Sequence, residues 1–313
     1  MGETRSAVPS AAANGARDTP AGFGGIVRKA FDDQKSLLGR AEHCSLDAHR
    51  LQAIGRVMGS QIRVGRPSEP DAIYTVSETR PESTATTLRM GRDGRERLDP
   101  DGPADAFEVH VEARVPHPEY SDAEARQHSE FVERLDDECR QGRLVILAPH
   151  GGSIEPGTDR QAERVLAALG TDAASAWRCK GFATEGAFRR FHITSSDLHE
   201  SSFPLLATIA SRNFLHAVAF HGFSAQGILI GGGAPPFIKE KLAQALEGVL
   251  AGEIPVRIAN DSDDFDGDNP RNIVNRLTAG GKGGVQIEQS RLARDKYWKE
   301  IADAVAGVYR RIC

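Results

Sequence analysis

The sequence predicts an α/β protein with a mixed, mostly parallel sheet covered by helices, preceded by an antiparallel β subdomain. Three observations lead there. From Gly142 onward the apolar runs RLVILA, AVAF, GILI, PVRIA and GVQI are separated by turns and helical patterns, as in strand–helix–strand units. Between Gln61 and Val115 apolar residues instead recur with period two, broken by Pro, Gly and Asp. A chain of 313 residues, 39% hydrophobic, is long and apolar enough to bury one substantial core and a smaller second one.

The elements follow in order. Residues 1–24 are rich in Ala, Ser, Pro and Gly and lack periodicity, so a disordered tail is expected. Residues 25–59 read as a helical lead-in, with one helix around Ile26–Leu38 and a second from Asp47 to Met58, Ser45 near its start and Gly59 just past its end. Residues 60–120 form the β-rich accessory subdomain, in which IRV, AIYTV, TTLRM and FEVHVEARV are strands and Asp93-Gly94 is a hairpin turn. In the last of these strands Phe107, Val109, Val111, Ala113 and Val115 share one face, which leaves His110 on the solvent side. Residues 121–313 are the main α/β domain. It opens on a helix capped by Ser121 and Glu124 and running to about Arg140. After RLVILA comes a loop to Thr158 and then a helix from Asp159 to Leu169, capped by Thr158 with Gln161 and stopped by Gly170.

Charge and composition exclude several classes of function. Residues 1–141 carry 19 basic and 25 acidic side chains and residues 142–313 carry 20 and 19, so neither half has the basic surface of a nucleic-acid binder. No run approaches the roughly 20 apolar residues of a membrane span, and the first residues lack the apolar core of a signal peptide. The expected location is the cytoplasm, with lysis as a route outward. Cys44, Cys139, Cys179 and Cys313 are scattered, so neither disulfides nor a cysteine zinc site is expected. HGFSAQG is one residue too long for a nucleophile elbow around Ser224, and neither GGG at 231–233 nor TAGGKGG has a nucleotide-binding spacing. The acidic run Asp261–Asp268 has the wrong spacing for a calcium loop and reads as solvated.

Sites in sheets of this kind lie at the carboxyl ends of strands, which directs the search for chemistry. His150 follows RLVILAP directly and Glu155 stands five residues on, in a glycine-containing loop able to turn sharply. His221 ends HAVAF and is followed by Gly222. Two imidazoles and a carboxylate make a three-ligand zinc site with one open position. Glu288 ends GVQI, with Gln286 and Ser290 on the same side, and is the candidate general acid/base. Asn272, Asn275 and Arg276 in NIVNR are grouped within about one turn, a set suited to a carboxylate or polarised carbonyl. His192, Thr194, Ser195 and Ser196 form a polar cluster that either lines the site or caps a turn. His43, His49, His117, His128 and His216 are read as ordinary structural or surface histidines, and His199, next to Glu200, as a surface residue. Arg189, Arg190, Arg276, Arg291 and Arg294 bring positive charge to these segments.

In this order, APHGGSIEPGT, FHITSS, AFHG, IGGG and NIVNR…GGVQIEQSRLAR resemble the phage-type poly-γ-glutamate hydrolases and their bacterial relatives, over Val145–Arg294. The resemblance implies a compact zinc carboxypeptidase-like fold for the main domain, Zn²⁺ as cofactor, and His150, Glu155 and His221 as its ligands. It implies Glu288 as the glutamate that activates water and Arg276 as a substrate-binding arginine of the catalytic set. His192, Asn272, Asn275 and Arg294 are the further candidate substrate contacts. The expected activity is amide hydrolysis in poly-γ-glutamate or a small acidic peptide, with neither nucleic acid nor membrane as partner. The alternatives are an N-acyl amino acid amidohydrolase of the N-formylglutamate type and a non-catalytic, zinc-stabilised interaction module. About 140 residues, including the β subdomain, precede the first motif and are foreign to the phage enzymes.

Overall fold

The computed structural model describes residues 22–138 and 142–313. Its first lobe contains β1 (Gly22–Lys29), β2 (His43–Leu46), α1 (Ala48–Ala53), β3 (Gln61–Gly65), β4 (Ala72–Thr79), β5 (Thr87–Met90), α2 (Arg92–Glu96) and β6 (Ala106–Glu112). The six strands close into a barrel in the order β1-β5-β2-β4-β3-β6. Val27, Cys44, Leu46, Ile62, Val64, Tyr74, Val76, Leu88, Val109 and Val111 fill its interior. The expected antiparallel subdomain is thus corrected to a mixed barrel, since β1 runs parallel to β5 and β2 parallel to β4.

The lead-in is corrected as well: Ile26–Lys29 lies in β1, and of the second expected helix only Ala48–Ala53 forms, capped by the Asp47 side chain rather than by Ser45. In β1 the inward alternation Phe23, Gly25, Val27 is hidden by a glycine. A Cβ on Gly25 would stand 2.6 Å from the Thr86 carbonyl oxygen, so the close strand pairing itself requires that residue. Pairing with β5 and β6 outweighs the local helical pattern. Asp93-Gly94 belongs to α2 rather than to a hairpin turn. Of the expected tail, residues 1–21 lie outside the described residues, and residues 22–24 begin β1.

The second lobe contains α3 (Asp122–Gln127), β7 (Phe131–Asp136), β8 (Leu144–Gly152), α4 (Thr158–Leu169), β9 (Ser175–Gly181), α5 (Ala187–Phe191), α6 (Pro204–Ile209), β10 (His216–Gly222), β11 (Ile228–Gly231), α7 (Pro236–Leu250), β12 (Val256–Ile258), α8 (Ile273–Arg276), β13 (Gly284–Gln289), α9 (Arg291–Lys296) and α10 (Trp298–Ile312). Its seven strands are ordered β12-β11-β13-β10-β8-β9-β7. The central four are parallel, β7 is antiparallel to β9, and β11 is antiparallel to β13. In β8, Leu144, Ile146 and Ala148 point to one face, against α4, α7 and α10. Val145 and Leu147 point to the other, against residues of α5, α6 and α8 and against Ile73 and Val115 of the first lobe. Burial on both faces explains why this strand reads as an unbroken apolar run.

Two local expectations change. The capping box at Ser121 and Glu124 is present, but the helix stops at Gln127, where Ser129 (φ 54°) turns the chain into β7. Phe131 and Val132 are buried there by pairing with β9. Gly170 does end α4, but Gly157 rather than Thr158 caps its start, because the Thr158 hydroxyl donates back to the Glu155 carbonyl and Gln161 is bonded to Gln289.

Candidate functional site

β13, β10 and β8 are neighbours at the middle of the sheet, so their carboxyl ends emerge side by side. His221 and Glu288 are direct partners in the β10–β13 ladder. The β8–β10 ladder ends at Leu147 and Ala219, so His150 and His221 both lie beyond its last pair, in the crevice that opens there. Glu155 comes back to this crevice through the loop after β8, where Gly152 takes φ 71° and the Glu155 amide donates to the His150 carbonyl (2.8 Å).

These side chains are buried and converge. His150 Nδ1 is 3.1 Å from Glu155 Oε1 and 3.2 Å from His221 Nδ1, and His221 Nδ1 is 3.6 Å from Glu155 Oε2. Tetrahedral bonds of about 2.0–2.1 Å place neighbouring ligand atoms about 3.3 Å apart, so the two Nδ1 atoms stand at ligand spacing and the Glu155 carboxylate spans them, Oε1 toward His150 and Oε2 toward His221. The outer nitrogens are anchored: His150 Nε2 lies 2.8 Å from the Ile193 carbonyl and His221 Nε2 3.4 Å from Ser195 Oγ. That leaves both Nδ1 atoms for a metal, the arrangement in which an outer hydrogen bond fixes the tautomer. Glu155 Oε2 also accepts from the Gly222 amide (2.9 Å). Burial opposes ionisation of Glu155, but His150 and His221 outweigh it and hold the carboxyl well below the usual range.

His192 forms a second, overlapping set: one ligand atom from each of His192, His150 and Glu155 lies within 4.8 Å of the other two. Its Nε2 is 3.8 Å from Glu155 Oε1, and its Nδ1 is bonded to Glu42, a residue of the barrel. The other oxygen of Glu42 accepts from the Thr194 amide (2.7 Å) and hydroxyl (3.1 Å). Burial would raise the Glu42 carboxyl, yet its bond to His192 and the charges of His192 and Arg97 hold it down to about 2. Burial, helped by the charge of His150, pushes His192 below the ordinary imidazole value.

Glu288 is 5% exposed, and burial, reinforced by the Glu155 carboxylate and only partly offset by the histidines, pushes its pKa up to about 7. A hydrogen-bonded series sets its orientation: Asn272 Nδ2 donates to Gln286 Oε1 (2.7 Å), and Gln286 Nε2 donates to Glu288 Oε1 (2.9 Å). His150, Glu155, His192, His221, Gln286 and Glu288 line one cavity of about 550 Å³, with Glu42 behind His192.

The remaining candidates divide. Arg294 lines the cavity, its guanidinium donating to the Pro156 carbonyl (2.8 Å) and the Gln289 carbonyl (3.4 Å). A Cβ on Gly222 would stand 2.5 Å from that guanidinium, so a side chain there would displace Arg294. Asn272 lines the cavity with both ends of its amide engaged, since its oxygen caps α8. Asn275 is not brought to it: its nitrogen donates to the Gly267 and Asn269 carbonyls and its oxygen accepts from the Gly233 amide. Arg276 is not brought there either, being bonded to Glu200 Oε2 (3.0 Å) and the Leu198 carbonyl (2.6 Å) in a neighbouring cleft. Helical adjacency groups these residues in the sequence, but α8 is one short turn and its faces diverge.

Two contributions have little or no signature in the sequence. Glu42 stands between the two helices expected of the lead-in, about 150 residues from its partner. Part of the acidic run, Asp264, Phe265, Asp266 and Gly267, walls the cavity although it reads as solvated loop. The Gly232 amide donates to the Asp266 carbonyl (2.7 Å), and a Cβ on Gly231 would overlap that oxygen, so Gly231 is what lets this loop approach.

Comparison with known proteins matches the second lobe. A family model described as poly-gamma-glutamate hydrolase matches residues 119–306, beginning after the barrel. The SPbeta prophage-derived UPF0714 protein YoqZ of Bacillus subtilis (strain 168) is 29% identical over 150 residues, 47% of this chain and 49% of that protein. The chain therefore spans about half the length of that curated relative. Among solved structures, a bacteriophage poly-gamma-glutamate hydrolase is 25% identical with a TM-score of 0.48, covering 62% of this chain and 97% of that one. Zinc-free YNDL is 21% identical with a TM-score of 0.46, covering 57% and 90%.

Proposed function

The chain belongs to the poly-gamma-glutamate hydrolase family, and from that premise we propose that it is a zinc-dependent amidohydrolase of carboxypeptidase-like architecture acting on γ-glutamyl bonds of poly-γ-glutamate or a related acidic peptide. The observation that carries this reading is the triangle of His150 Nδ1, Glu155 and His221 Nδ1, with edges of 3.1, 3.2 and 3.6 Å, beside the buried carboxyl of Glu288. His150, Glu155 and His221 hold the ion in this reading, and His221 is preferred to His192 because its Nδ1 sits at ligand spacing from both other donors.

His150, Glu155 and His221 would hold the ion, which when bound would supply Lewis acidity toward a water and the scissile carbonyl. Glu288, with one oxygen fixed by Gln286 and a pKa near neutrality, takes the proton of the attacking water and delivers it to the leaving amine nitrogen. His192, held by Glu42, presents Nε2 to the cavity and orients the carbonyl or a substrate carboxylate. Arg294 supplies positive charge to the cavity wall opposite the two carboxylates. Sequestration in a mostly buried crevice strengthens each of these interactions.

Metal analysis and assay together test the reading. The purified protein is expected to hold about one zinc per chain, and either His150→Ala or His221→Ala to remove it, since two ligands make a poor site. Cleavage of poly-γ-glutamate should stop with a chelator and return with zinc. Cleavage that persists after complete removal of metal would sink the proposal; full zinc in His221→Ala with loss in His192→Ala would replace only the third ligand.

A further inference from the structure

A second cleft, of about 450 Å³, opens between the barrel and the sheet lobe. Arg40, His43, Met58 and Ser77 line it from the barrel, and Ser196, Asp197, His199, Arg271 and Arg276 from the other lobe. Ser196 lines this cleft and the metal-centre cavity alike, so the two are contiguous across one residue. We propose that the cleft is a subsite for the carboxylates of an extended polyanionic substrate whose scissile bond lies at the metal centre, with Arg40, Arg271 and Arg276 as the recognising cations.

The charge balance of the cleft carries the inference. Its single lining carboxylate, Asp197, is engaged by His43 Nε2 at 3.2 Å. Against it stand three guanidiniums. Arg276 shares one partly exposed carboxylate, Glu200. Arg40 and Arg271 are exposed and have no carboxylate partner among the described residues. Of the exposed arginines elsewhere, Arg92, Arg257 and Arg291 pair with Glu96, Asp263 and Asp295, whereas Arg28, Arg126, Arg160, Arg189, Arg310 and Arg311 have no carboxylate partner among the described residues, so it is the gathering of Arg40, Arg271 and Arg276 in one cleft that distinguishes them. Two unpaired guanidiniums lining the same cleft as a third, contiguous with the metal-centre cavity through Ser196, form a receptor for a chain carrying one carboxylate per repeat. The barrel then has a function for the reaction: it builds one wall of the groove beyond the scissile bond, and the wall carries Arg40.

The inference rests on the amidohydrolase reading for its placement, and its test separates the two. The double variant Arg40→Ala/Arg271→Ala alters exposed side chains, so its fold should survive and circular dichroism checks this. With zinc bound, kcat/KM is measured for a long γ-linked glutamate polymer and for a γ-linked glutamate dipeptide; with zinc stripped, binding of the fluorescently labelled polymer is measured. Loss of two exposed pairs should lower the polymer-to-dipeptide ratio of kcat/KM roughly tenfold. Polymer binding to the stripped protein should weaken by a similar factor, and both differences should shrink at high salt. If the native protein cleaves the polymer and the double variant keeps the same ratio, the subsite is wrong and the hydrolase reading stands. If the native protein cleaves neither substrate but binds the polymer in an arginine-dependent way, the subsite stands and the hydrolase reading falls. Absence of polymer binding to the stripped native protein at low salt overturns the subsite directly.

Discussion

Glu288 and His192 show how single side chains are tuned by neighbours that do no chemistry. Gln286 spends its amide on Glu288 and is itself held by Asn272, so the oxygen that would take a proton has a fixed direction. Glu288→Gln preserves shape but cannot accept a proton; it should retain zinc and fold while turnover drops ~10²–10⁴-fold, and steady-state kinetics on the cleaved substrate measure this. Near-native turnover would remove Glu288 from the mechanism. Glu42→Gln tests the outer contact to His192, of a kind whose loss typically costs about 10–100-fold in activity or affinity. With His221 as third ligand, the variant should lose kcat at unchanged zinc content. Zinc lost in parallel with kcat would instead assign His192 to the metal.

At the scale of elements, the site depends on where strands stop and which loops can come close. The β8–β10 ladder ends before its two histidines, and Glu155 crosses to His221 from the loop behind them. The far wall depends on β11 ending in glycine, because the Asp266 carbonyl occupies the space a side chain at position 231 would need. Gly231→Ala should therefore push residues 264–267 outward and destabilise the protein by about 2–4 kcal/mol, measured by denaturant unfolding. Because that segment lines the cavity, KM should rise as well. A stable variant with native KM would show that the loop yields without cost.

Across the whole molecule, the barrel and the sheet lobe are joined by polar contacts as much as by packing. Arg97 donates to the carbonyls of Ile73, Arg190 and His192, and Arg63 holds both Asp71 and Glu130. Asp71 is the link between them: it accepts from Arg63 on β3 (2.8 Å) and Arg190 on α5 (2.6 Å). Burial opposes its ionisation, but the two guanidiniums hold its pKa below the ordinary carboxylate value. For a depressed carboxyl the stabilisation is complete above the unfolded pKa of about 3.9 and is lost as pH falls through the lower folded value. Asp71→Asn should accordingly cost about 1–3 kcal/mol near neutrality. The gap in thermal midpoint between the variant and the native protein should close as the pH drops below about 4. A gap that stays constant with pH would mean that packing, not the ion pairs, is what the substitution disturbs.

The sequence by itself determined the parallel sheet of the second lobe and the strand ends that bear His150, His221 and Glu288. An apolar run followed by a polar residue is a local pattern, and burial on both faces of a parallel sheet imprints it directly. Family membership was legible for the same reason, since its motifs are contiguous. Tertiary structure alone decided what depends on partners distant in the chain. Ile26–Lys29 looks helical until β5 and β6 claim it as a strand. Asn275 looks like a residue of the metal-centre cavity until the Gly267 carbonyl claims its side chain, and Arg276 looks like another until its bond to Glu200 places it in the neighbouring cleft. Glu42 enters the site only because the closed barrel holds it against His192. Period and spacing report which face of an element is buried, but not against what. The free energy that selects among locally plausible conformations comes from pairings between segments far apart in sequence, and no local pattern encodes those.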